Sequence, residues 1–108
     1  MTHIAFFGDA EYSFRLTAAM VIELERKTGA GIGALCTRIF NRQFNQADLQ
    51  ETIRCALVGA GTDPKRAAEL IAAYAVDRPI SEIYPIAVGI LETLWHGNPN
   101  EDDANGPA

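Results

Sequence analysis

Gly59-Ala60-Gly61 is the segment of this chain that comes nearest to a ligand-binding loop. Glycine-rich loops cradle phosphates through backbone N–H groups, and a P-loop then closes on Gly-Lys-Ser/Thr. Here Thr62-Asp63-Pro64 follows instead. The dinucleotide fingerprint must also follow a strand, whereas this triplet follows a helical pattern. It reads as a helix stop. His3 and His96 stand at opposite ends of the chain, and neither has a Ser, Cys or carboxylate arranged beside it as a triad would need. Cys36 and Cys55 fall within predicted helices and read as small apolar core residues. A zinc site takes about four ligands, and these two Cys and two His form no ligand pattern. Glu23 and Glu25 are two apart on a helix, so they diverge and make no general acid/base pair. Glu25 is expected to contact a backbone N–H or an Arg. Ser13 reads as an outward strand position and Ser81 as a helix cap. These residues predict no catalytic site, no cofactor and no metal.

Charge narrows the partners. The chain carries 9 Lys and Arg against 14 Asp and Glu, a net charge of −5. Affinity for nucleic acid rests first on cations set against phosphates, so no nucleic-acid partner is predicted. A helix-turn-helix over residues 47–76 is the rival reading. Its second helix begins Asp63-Pro64-Lys65-Arg66 and then turns Ala-rich and apolar, a poor set for reading base edges. No run of eighteen apolar residues is present, so no membrane span is expected. The N-terminus shows no secretory pattern, and a cytoplasmic protein is the default.

The elements follow from hydrophobic period. Residues 3–8 and 11–16 alternate with period two and predict a β-hairpin, with Gly8-Asp9-Ala10 as its turn. Tyr12, Phe14 and Leu16 share one face. From Thr17 the period becomes helical. A helix capped by Thr17 runs to Thr28 and stops at Gly29. Ile32, Leu35, Cys36, Ile39 and Phe40 make one apolar face over 31–41. Asn45 caps a third helix, with Leu49, Ile53, Ala56 and Leu57 as its stripe up to Val58. Asp63 and Pro64 open a fourth helix to about residue 76, and Ser81 a fifth to about Trp95. The fold class is α+β, mostly α: a hairpin and five short helices in one domain over residues 1–96. Residues 97–108 hold no large apolar side chain and predict a disordered acidic tail.

Phe7 and Phe44 fall off the main stripes, and stray apolar residues of this kind mark partner surfaces. With Phe40, Leu57 and Trp95 they form the candidate protein-binding set.

The order of several weak features resembles a known family. Tyr12-x-Phe14-x-Leu16 is followed by Leu24-Glu25, then Thr28-Gly29-x-Gly31-Ile32 and Leu35. Ile53-x-x-x-Leu57-x-Gly59-Ala60-Gly61 comes next, with Pro79-Ile80, Ile90-Leu91 and Leu94 closing. Together these resemble the small tail proteins of gene transfer agents and related prophages. The resemblance implies a non-enzymatic part in building a phage-like tail, with other tail proteins as partners. It implies first an assembly chaperone for the tape-measure protein, which would lay an amphipathic helix in a groove. The alternative is a minor tail or tail-tube component that assembles with itself. Only two short strands are visible, which ranks that alternative second.

Overall fold

Two residues, Gly8 and Asp9, turn the chain between β1 (His3–Phe7) and β2 (Ala10–Phe14) in a computed structural model that describes residues 1–98. The strands are antiparallel, with His3 opposite Phe14, Ala5 opposite Tyr12 and Phe7 opposite Ala10. Opposite residues share a face. His3, Ala5 and Phe7 therefore lie with Tyr12 and Phe14 against the helices, and Phe7 and Phe14 meet edge to face at 6.3 Å. The tail expected over 97–108 lies, from residue 99 onward, outside the described residues.

Five helices follow: α1 (Ala18–Thr28), α2 (Ile32–Phe40), α3 (Gln46–Gly59), α4 (Pro64–Tyr74) and α5 (Ile80–His96). The hairpin-plus-five-helix architecture is the one the periodicity predicts. Most of the termini follow from the residues that cap them. The Thr17 hydroxyl accepts the Met20 N–H at 3.3 Å, and Gly29 ends α1 in left-handed backbone. Asp63 accepts the N–H groups of Lys65 and Arg66, with Pro64 at the first helical position. At α5 the expectation fails. Pro79 occupies the cap, so Ser81 lies inside the helix and caps nothing. Pro85 sits in the second turn of α5. At that position its missing N–H removes the intrahelical bond that the Ser81 carbonyl would otherwise accept.

The α1–α2 corner shows why Glu25 follows Leu24. Gly31 heads α2 without a side-chain cap. The Glu25 carboxylate reaches across from α1 and accepts the Ile32 N–H at 2.8 Å. A negative group at a helix N-terminus also meets the positive end of the helix dipole. We expect Glu25→Ala to destabilise the domain by about 1 kcal/mol, the usual worth of a cap, and Glu25→Gln by less. Urea midpoints measured side by side check this, and equal losses in the two variants would refute the capping role.

α3 is the axis of the core. It packs on α1, α2, α4, α5 and β2. Leu49, Ile53, Ala56 and Leu57 are fully buried, as their spacing predicts, but so are Thr52 and Cys55. A helix enclosed on several sides has no free face to keep polar. Burial pushes the Cys55 thiol up to about 11 and raises Cys36 as well. Both cysteines stay protonated packing residues, because the thiolate is the reactive form. β2 leads into α1 through Arg15, whose N–H donates to the Ala56 carbonyl of α3 at 2.9 Å.

Candidate interaction surfaces

The candidate binding residues part company in the structure. Leu57 is 0% exposed and Phe7 is 2% exposed. Both are core side chains; Leu57 is wholly enclosed, and Phe7 only backs a hollow beside the hairpin. Leu57 faces inward because α3 is surrounded. Phe7 does so because the turn has two residues. Phe44 is half-buried and stacks on Tyr84 at 5.3 Å, with Arg42 over the other aromatic at 5.7 Å. Tyr84 in turn donates its hydroxyl hydrogen to the Ile39 carbonyl at 2.8 Å, so this cluster pins the α2–α3 connection to α5.

Phe40 and Trp95 remain, 40% and 63% exposed. They meet in a shallow cavity of about 310 Å³ between α2 and the end of α5, with Cys36, Thr37 and His96. A second hollow of about 470 Å³ runs beside the hairpin. Phe7, Tyr74, Ile83 and Ile86 line it, with Phe6 and the Arg78–Glu82 ion pair also at its walls. Among the exposed apolar residues that sequence reasoning missed are two of β1, Ile4 at 61% and Phe6 at 65%. Their signal was present in the alternation of β1, but its phase depends on the turn length.

The charged groups are largely engaged with one another. Arg26 forks onto Glu23, and Arg54 holds Glu51 while lying 3.9 Å from Glu23. The Arg26 guanidinium bonded to Glu23 holds that carboxyl below its ordinary range. Arg66, one of the two cations expected at a DNA surface, bonds Asp9 at 3.2 Å across to the hairpin turn. His3 packs its ring on Gly89 of α5. Desolvation there pushes its pKa down, against the opposing pull of Glu92. Among the described residues no three His, Cys, Asp or Glu side chains gather as a metal site would require. No helix among them is long and apolar enough to cross a membrane.

A hairpin packed on five helices, with ion pairs spent on structure and apolar side chains left outside, defines a small domain suited to protein–protein contact. The family it belongs to is that of the phage tail tube protein, GTA-gp10, whose family model matches residues 1–97. That family is a structural one of the phage tail. Searches of curated proteins and of solved structures each found no match.

Proposed function

We propose that this chain is a structural, non-enzymatic component of a phage-like tail tube, acting through contacts with other tail proteins. The observation that carries this reading is the family match across residues 1–97. The exposed apolar residues Ile4, Phe6 and Trp95 add to it, because a subunit of an assembly must keep apolar contact surface available. This reverses the order in which the sequence ranked its two alternatives.

Assembly chaperoning of the tape-measure protein is the second reading. One feature favours it: the cavity of about 310 Å³ bearing Phe40 and Trp95. Its volume and its two aromatic walls suit an anchor side chain from an amphipathic helix. The readings separate by where the protein ends up. Particles purified from the host should contain this chain in amounts stoichiometric with tail proteins, as quantified by mass spectrometry. Its absence from particles, with tape-measure protein insoluble unless this chain is co-expressed, would replace the structural reading by the chaperone one.

A further inference from the structure

Among the described residues, the outer edge of β1 carries hydrogen-bonding groups that no element covers. Backbone groups along a strand point alternately to either side. The Thr2 N–H donates to the Asn98 side-chain oxygen at 2.9 Å, and the Asn98 amide donates to the Thr2 carbonyl at 2.8 Å. Thr2 therefore points away from β2, and so do Ile4 and Phe6, two and four residues on. The other strand agrees. Arg15 points outward to Ala56, which makes Ser13 and Glu11 outward too. These two are the register partners of Ile4 and Phe6. The Asn98 amide thus fills, at Thr2, the place a neighbouring strand's peptide group would take. Beyond it, among the described residues, the edge lies open at Ile4 and Phe6.

Edges of this kind are normally guarded by Lys, Pro, a bulge or a covering element. β1 reads His-Ile-Ala-Phe-Phe and has none of the residue guards. We infer that this edge is a strand-pairing site, and that its occupant is β1 of a second copy of the chain. An antiparallel pairing centred on Ala5 is self-complementary. Ile4 of one copy faces Phe6 of the other, twice over, and every open N–H and C=O of these four residues is used. The same register sets Thr2 opposite Gly8 of the second copy. Asn98 then meets a residue without a side chain, and pairing ends there. Charge fits as well. The chain is acidic overall, yet residues 2–8 contain no Asp, Glu, Lys or Arg, so two copies meet at neutral surface. The four side chains form one apolar cluster on the outer face, where Ile4 and Phe6 are now mostly exposed.

The area sets the strength. Four such side chains bury roughly a few hundred Å², below the approximately 1,200 Å² of a lasting complex. The dimer is therefore weak and concentration-dependent. The inference stands apart from the tail reading, since self-pairing and presence in particles are measured separately.

Sedimentation of the full chain from about 10 µM to about 1 mM should show mass rising from monomer toward dimer, with dissociation in the upper part of that range. Amide exchange should slow at Ile4 and Phe6 with rising concentration, while Ala5 and Phe7, bonded within the hairpin, do not change. Phe6→Lys should weaken association at least tenfold, and Ile4→Lys should do the same if Phe6→Lys fails to fold. A monomer throughout, or self-association that ignores both Lys variants, would overturn the proposal. So would protection of Ile4 and Phe6 that is independent of concentration and vanishes when residues 99–108 are deleted, because the chain's own end would then be the occupant.

Discussion

Gly59→Ala should lower the unfolding free energy by about 3 kcal/mol, toward the upper end for an overpacked site. A Cβ on Gly59 would overlap the Arg15 carbonyl oxygen and lie 3.3 Å from the Met20 side chain. The first contact is with backbone, which has no rotamer to escape into. The carbonyl is also held in place, because the Arg15 N–H is bonded to Ala56, one turn before Gly59 on α3. Making room means drawing the β2–α1 link off α3, which loses that bond and pulls on Leu16, 4% exposed. The glycine is required by close approach, since its own φ is not in the left-handed region. Gly33→Ala is the control. Nothing lies within 4 Å of its added Cβ, and Gly33 is inside α2. That exchange should stabilise by about 0.5–1 kcal/mol. Urea unfolding followed by circular dichroism compares the two. A Gly59→Ala loss under about 0.5 kcal/mol would mean that the link withdraws freely.

This contrast shows what the sequence could and could not disclose. Gly59-Ala60-Gly61 is legible as a helix stop, and α3 does end at Gly59. The tight passage of Arg15 over Gly59 is a contact between segments more than forty positions apart, and no local pattern encodes it. The helices were legible because their stripes and caps are local: Thr17, Gly29, Asp63 and Pro64 act where they stand in the chain. Ser81 misled because it is a good cap placed just inside a helix that Pro79 had already begun.

The register of the hairpin is the instructive error. A three-residue turn, Gly8-Asp9-Ala10, would pair Phe6 with Tyr12 and Ile4 with Phe14, turning Ile4 and Phe6 inward and Phe7 outward. The chain turns in two residues, so Ala10 pairs with Phe7. A slip of one residue flips every side chain of a strand to the other face. The candidate surface on the hairpin thereby moves from Phe7 to Ile4 and Phe6. Alternation alone cannot fix the phase here, because β1 is apolar on both faces. Leu57 fails for a related reason. Its place on the α3 stripe was legible, but not that α3 would be enclosed on nearly all sides.

The second large effect is expected at Asp48, in the first turn of α3. It is 1% exposed and holds two charged or polar partners. One carboxylate oxygen accepts from the Arg38 guanidinium of α2 at 2.9 Å, and the other accepts the Asn45 N–H at the head of α3, also at 2.9 Å. One side chain therefore ties α2 to α3 and caps α3. Asp48→Ala would leave the Asn45 N–H without its acceptor and strip Arg38 of its counter-charge. Arg38 already has its Nε buried without a hydrogen-bond partner. Breaking a buried pair from one side costs about 3–5 kcal/mol. Arg38 is one-third exposed and can relax toward water, so the lower figure, about 3 kcal/mol, applies here. Asp48→Asn keeps an acceptor for Asn45 and should cost roughly half as much. Adding Arg38→Met to Asp48→Ala should recover part of the loss, since the stranded charge is then gone. Chemical denaturation of the wild type, Asp48→Ala, Arg38→Met and the double variant forms a double-mutant cycle. Strictly additive losses would show that the two side chains do not act as a pair, and would leave the cap as the whole of Asp48's contribution.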